Sequence, residues 1–197
     1  MLRFVPRDAR PVDERALAAL RPYTGVTARL LYARGIENAA QADAFLHPSM
    51  SQLHDPMQMH DMDKALEILT NARDRNLPVV VYGDYDVDGI CACALMTQAM
   101  RRFGVQAHPH TPLRQEGYGL NRAAVEKLAQ TYKVLVTVDL GITNHEEVRL
   151  AQNLGMQVIV TDHHGLDLQH SPADAVLNPL LVAVFYREQV GLAALAG

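Results

Sequence analysis

Three short runs of apolar, mostly β-branched residues constrain this chain more than any other feature: PVVVY at 78–82, KVLVTV at 133–138 and MQVIVT at 156–161. Each run is continuous. A strand that buries one face alternates apolar and polar residues, whereas a strand buried on both faces reads as unbroken apolar sequence. Helical patterns lie between the runs. ICACALMTQAMRRF is closed by Gly104, RAAVEKLAQ has Asn121 as its cap, and HEEVRLAQNLG has Asn144 before it and Gly155 at its end. Strands alternating with helices of this length call for right-handed crossovers and a mostly parallel sheet with flanking helices, an α/β fold. VQAHPH at 105–110 and DAVLN at 174–178 are weaker strand candidates.

The residues before the first run carry no strand signal. Residues 13–75 read as helical: Asp13-Glu14 precede ALAAL, Thr24 or Thr27 caps ARLLYARG, Asn38 caps AAQADAFL, and Asp61 caps MDKALEILTNARDRN. In this last helix Ala65, Leu66, Ile68 and Leu69 share one face. The expected division is a helical lead over 1–76 and an α/β domain over 77–197. Met57, Met59 and Met62 read as core filling. His47, His54, His60, His108 and His110 read as structural.

Composition excludes little. Of the 197 residues, 49% are hydrophobic and 20% charged, ordinary for a globular protein. No apolar run reaches the roughly 18 residues of a spanning helix, and MLRFVPRDARPVDER has no signal-like apolar core, so the expectation is a cytoplasmic protein with no membrane contact. The net charge of −4 neither supports nor excludes a nucleic-acid substrate, because carboxylates that await cations make a site acidic. Cys91 and Cys93 are too few and too close for a disulfide framework, and read as two small buried residues.

The residues immediately after each strong run carry the chemistry. The first run leads into Gly83-Asp84-Tyr85-Asp86-Val87-Asp88-Gly89, the second into Asp139-Leu140-Gly141, the third into Asp162-His163-His164-Gly165. In a parallel sheet these carboxyl ends share one edge, where ligands bind. Taken alone, the first cluster fits a helix-capping turn as well as a metal loop. It is not a calcium EF-hand: counted from Asp84, Gly89 fits the sixth position but Leu95 stands at the twelfth. Together, the clusters gather so many carboxylates that countercharge is required. Asp and His donors suit Mn²⁺, Mg²⁺ or Zn²⁺; the lack of a Cys argues against a structural zinc site, the carboxylate-heavy mix favours Mn²⁺ or Mg²⁺, and a pair of such ions serves hydrolysis of a phosphate ester.

VVVYGDYDVDG, VTVDLG and VIVTDHH together resemble the DHH phosphoesterase superfamily. Three further stretches resemble its RecJ branch, the single-strand-specific 5′→3′ DNA exonucleases of bacteria: RLLYARG through DKALEIL, HPHTPLRQEGYGLN, and ADAVLNP. The likeness covers most of 28–179. It implies metal-dependent hydrolysis of phosphodiester bonds in single-stranded DNA, in repair and recombination. It also implies that Asp84, Asp86 and Asp88 are metal-site residues, with Asp84 catalytic as well. Asp139 would bridge two metals and His163 would ligate one. Asp162 and His164 would orient ligands or face the phosphate as catalytic residues. Arg114 would contact phosphate, Tyr118 would stack on a base or pack, and Gly117 and Gly119 would permit a tight loop, Gly119 beside the nucleic acid. RecJ proteins are longer and supply a fourth-motif Asp and further domains, so the resemblance implies a fragment that is weakly active or inactive. The stretch after Pro179 departs from the family pattern. Rival readings are another phosphoesterase of the superfamily (a nano-RNase, a cyclic-dinucleotide phosphodiesterase or a pyrophosphatase) and a non-catalytic binding module.

Overall fold

The computed structural model describes residues 13–167 and 169–181. Expectations about residues 1–12 and about the tail beyond Leu181 lie outside these described residues. Five strands form one parallel sheet in the order β2-β1-β3-β4-β5. β1 is Val79–Gly83, β2 Ala107–His110, β3 Val134–Val138, β4 Gln157–Thr161 and β5 Ala175–Leu177. The three continuous runs are the central strands, and the two weaker candidates are the edges. Helices cover both faces: α4 (Met62–Asp74) and α5 (Val87–Arg102) on one, α6 (Arg122–Leu128) and α7 (His145–Asn153) on the other.

The pleat explains the unbroken apolar runs. Val79, Val81, Val136, Val138 and Ile159 join the core beneath α4 and α5, while Val80, Tyr82, Leu135, Val158 and Val160 join the core beneath α6 and α7. Each such side chain contributes about 1.5–3 kcal/mol by leaving water. The order places β3 beside β1 although β2 intervenes in sequence. The crossovers from β1 to β2 and from β2 to β3 therefore run in opposite directions, which makes the carboxyl ends of β1 and β3 the topological switch point of the sheet.

The described residues divide between Asp55 and Pro56 into two compact units. The first holds α1 (Glu14–Ala19), α2 (Gly25–Ala33) and α3 (Ala39–Leu46) around Leu20, Ala28, Leu31, Ile36 and Ala42. Asp13 and Asn38 cap α1 and α3 by accepting from the Arg15 and Gln41 N–H groups, whereas Thr24 stands at the head of α2 without a side-chain cap. The second unit contains the sheet and also α4, which the sequence pattern groups with the helical lead.

Several local expectations are corrected. Asp61 does not cap α4: its backbone is left-handed (φ 54°) and its carboxylate is directed to the edge strand instead. Leu66 points outward, so the buried face of α4 is Ala65, Ile68 and Ala72. Met59 and Met62 pack on the core as expected, but Met57 is exposed. Cys93 is buried and donates to the Val81 carbonyl, whereas Cys91 is exposed on the outer face of α5. Asn144 makes no cap bond to α7; its side chain contacts the Leu120 N–H and Glu147. Among the described residues no helix is long and apolar enough to cross a membrane.

Candidate metal centre

Strand register sets up the site. Gly83 pairs with Val138, Val138 with Thr161, and Thr161 with Leu177. The next residue on each strand is therefore Asp84, Asp139, Asp162 and Asn178, a row one position beyond the sheet edge. Strands lie about 4.8 Å apart, so this row concentrates polar side chains at the switch point.

The first member is held by close packing between β1 and α5. An added Cβ on Gly83 would meet the Gly89 carbonyl oxygen at 2.4 Å, and one on Gly89 would meet the Asp84 nitrogen at 2.4 Å. Only glycines allow this approach. Asp84 is 1% exposed, and its Oδ1 accepts from the Tyr85 N–H at 2.7 Å. Asp86 caps α5, accepting from the Gly89 N–H at 2.9 Å, which is why the helix starts at Val87 and takes in Asp88 and Gly89. Asp88 lies exposed in its first turn.

Asp139 takes a left-handed backbone (φ 63°), unusual for any residue but glycine and tolerated best by Asp and Asn. This conformation directs its Oδ1 to His163 Nε2 at 2.9 Å. Burial raises the Asp139 carboxyl above its ordinary range; the His163 hydrogen bond and charge oppose this, and the Asp86 charge reinforces it. Asp162 plays a different part. Its Oδ1 accepts from the His163 N–H, the His164 N–H and His164 Nδ1 at 2.7, 3.0 and 2.7 Å, and its Oδ2 accepts from the Ile142 N–H at 2.9 Å. A carboxylate so occupied organises the loop. It also fixes the His164 ring with Nε2 turned outward, the arrangement by which a carboxylate orients a metal-ligating histidine. That hydrogen bond raises the His164 pKa, against burial and with help from the Asp162, Asp139 and Asp86 charges.

Ligand atoms of Asp139, His163 and His164 all lie within 4.8 Å of one another. One carboxylate and two imidazoles that converge in this way suit a divalent transition ion. The structure thus brings His164 into the cluster beside Asp139 and His163, and leaves Asp84, Asp86 and Asp88 outside it. Tyr118 overlooks the cluster, its hydroxyl 3.4 Å from His164 Nε2 and its ring edge-on to the imidazole. Burial, then the charges of Asp162, Asp84, Asp139 and Asp86, push its phenol up to about 12. Arg114 lies over the Tyr85 ring at 5.1 Å. Gly117 and Gly119 both take positive φ, and Gly119 abuts Asn144 while its carbonyl accepts from the Tyr82 hydroxyl.

Sequence patterns missed two contributors. Asn178 is fully buried and its amide donates to the His164 carbonyl at 3.0 Å. An Asn directly after a short apolar strand, level with three Asp residues after the other strands, was the available signal for it. His145, the first residue of α7, is the second contributor: its ring bonds to Asp167 on the loop that carries the histidine pair.

Fold and site together define a parallel α/β protein with a carboxylate–imidazole centre at the switch point of its sheet. The chain belongs to the DHH family: the profile described as DHH family, N-terminal domain, matches residues 78–188. It is similar to the single-stranded-DNA-specific exonuclease RecJ of Bacillus subtilis (32% identical over 158 residues, 79% of this chain and 20% of the relative). It is likewise similar to RecJ of Escherichia coli (37% over 177 residues, 87% and 30%). A structure of exonuclease RecJ bound to manganese superposes with a TM-score of 0.60 at 33% identity, over 64% of this chain and 33% of that one. RecJ of Thermus thermophilus in complex with Mn²⁺ superposes with a TM-score of 0.64 at 29% identity, over 87% of this chain and 24% of that one. The chain spans at most about a third of the length of these relatives.

Proposed function

We propose that this chain carries the metal centre of a phosphodiesterase acting on single-stranded DNA, an exonuclease that releases 5′-mononucleotides from the 5′ end in cytoplasmic repair and recombination. The observation that carries the reading is the convergence of Asp139, His163 and His164 at the switch point, in a chain similar to single-stranded-DNA-specific exonucleases. The donor set and the Mn²⁺-bound relatives both support Mn²⁺, with Mg²⁺ as the alternative ion. When bound, such ions polarise a phosphoryl oxygen and stabilise charge on the leaving oxygen.

The chain's own residues do the rest. Asp139, His163 and His164 would hold the ion; Asp162 aims the His164 ring and holds the His163 backbone. Asp84 and Asp86 stand across the switch point from Asp139 and would supply donors for a second ion, with Asp88 beside them. Arg114 offers a planar pair of N–H donors to a phosphate, and its stacking on Tyr85 limits its rotamers. Tyr118 stays neutral at physiological pH and so presents a hydroxyl and a ring face to the strand without repelling it. The acidic edge admits a polyanion only once cations are bound.

The test is incubation of the chain with Mn²⁺ and a long 5′-phosphorylated single strand labelled at either end, alongside a dinucleotide and a cyclic dinucleotide. Expected is slow, Mn²⁺-dependent release of mononucleotides from the 5′ end, reduced more than about 100-fold in Asp139→Ala. Preferential hydrolysis of the dinucleotide or cyclic substrate would transfer the assignment to another phosphoesterase class. DNA binding with no hydrolysis, unchanged by Asp139→Ala, would make it a binding module.

A further inference from the structure

The three residues of the metal cluster sit on two loops: Asp139 on the loop from β3 to α7, His163 and His164 on the loop from β4 to β5. The His163 and His164 side chains are 66% and 46% exposed, so packing does not fix them. Their position depends on how the backbone of the second loop is held against the first. One tie adjoins the cluster, the Ile142 N–H donating to Asp162. A second lies farther from it. His145 Nε2 donates to Asp167 Oδ2 at 2.8 Å, joining the first residue of α7 to a turn three residues beyond His164.

We infer that His145 is a positioning residue for the metal centre, acting through Asp167 to hold the loop of His163 and His164 against the loop of Asp139. This rests on the metal-dependent reading above. His145 is itself costly to the fold. It is 8% exposed, it stands at the positive end of a helix, and its Nδ1 is buried with no partner among the described residues. An orphaned buried polar atom costs about 1–3 kcal/mol. Val148 and Ala151 show what the same face of α7 takes elsewhere, an apolar residue at no such cost. Packing therefore does not account for an imidazole here; its bond to Asp167 does. The acceptor is built into the other loop, since Asp167 Oδ1 also accepts from the Gln169 N–H at 2.8 Å. The His145 bond holds the Asp167 carboxyl below its ordinary range even though that residue is exposed. The β4–β5 loop is thus fastened at Asp162 and again at Asp167, with both histidines between the fastenings.

The test compares Asp167→Ala, His145→Ala and His145→Gln with the unmodified chain. A glutamine amide places an N–H near the position of Nε2. Mn²⁺ affinity is read from the electron paramagnetic resonance signal of the free ion, and loop order from hydrogen exchange at the His163 and His164 amides without metal. Expected for both alanine variants is about tenfold weaker Mn²⁺ binding and faster exchange at those amides. His145→Gln should restore both, and the double alanine variant should be no worse than either single one. Asp167 is exposed, so its replacement reports even if His145→Ala fails to fold. Wild-type affinity and wild-type exchange in Asp167→Ala would overturn the inference. Absence of Mn²⁺ binding in the unmodified chain would overturn the functional reading instead, and the exchange measurement would still decide whether the bond positions the loop.

Discussion

Asp139 bears opposed demands. Its backbone is left-handed, its carboxyl is largely buried, and Asp86 adds a like charge, yet its Oδ1 is turned outward to His163. Local strain of this kind is retained where a site requires it. The sign of its effect on stability follows from its raised pKa. A carboxyl raised on folding adds stability below its unfolded value and loses it as pH rises through the folded value. At neutral pH, without a cation, Asp139 therefore opposes folding. Asp139→Asn should melt at or above the temperature of the unmodified chain in chelator at pH 7, and should lose the stabilisation that Mn²⁺ confers. Calorimetry with and without Mn²⁺ checks both. A clearly lower melting temperature in chelator would mean that the His163 pair, not burial, dominates at this position.

At the scale of elements, the edge strand β5 illustrates how side chains finish what the ladder leaves open. Its inner edge pairs with β4, while on its outer edge the Val176 N–H donates to Asp61 Oδ2 at 3.2 Å. Asp61 also pairs with Lys64 at 2.6 Å and His60 at 3.3 Å. Burial works to raise the Asp61 carboxyl, but hydrogen bonds from Lys64 and Val176 and the His60 charge outweigh it, and the group sits below its ordinary range. Such a group adds stability above the unfolded carboxyl value and loses it as pH falls through the folded one. Asp61→Ala should cost about 1–3 kcal/mol at pH 7, chiefly by leaving the Val176 amide unpaired. Urea unfolding should show that difference shrinking below about pH 4; a difference constant down to about pH 3 would exclude the carboxylate as its source. Helix-start signals in sequence suggested a cap here because Asp precedes an amphipathic run. A tertiary partner 115 residues away claimed the carboxylate, and nothing local announces that.

At the scale of the whole molecule, the parallel sheet was legible because burial of both faces writes itself as unbroken Val and Ile, and the convergence of Asp84, Asp139 and Asp162 followed from strand ends alone. Less was legible about roles. Residue type does not reveal that Asp162 is saturated by four hydrogen bonds while Asp139 is aimed outward, since both are Asp after a buried strand. Those roles decide how cation binding couples to folding. On the proposed reading, Mn²⁺ would bind the folded sheet and stabilise it by mass action, about 2.7 kcal/mol at a hundredfold excess over the dissociation constant. Ligation by His164 would require its imidazole unprotonated, and Asp162 raises the His164 pKa. Without cation, the stability gained from protonated His164 is fully present below the unfolded value of about 6.5 and is lost as pH rises through the higher folded value. With cation, stability gains over that same window. The Mn²⁺-induced rise in melting temperature should therefore grow from pH 6 to pH 8, and in Asp162→Asn, where the raising partner is gone, the growth should begin at lower pH. Thermal unfolding across this range at fixed Mn²⁺ measures it. A rise that is flat with pH in the unmodified chain would show that the cation does not displace a proton from His164, and would move the ion away from that imidazole.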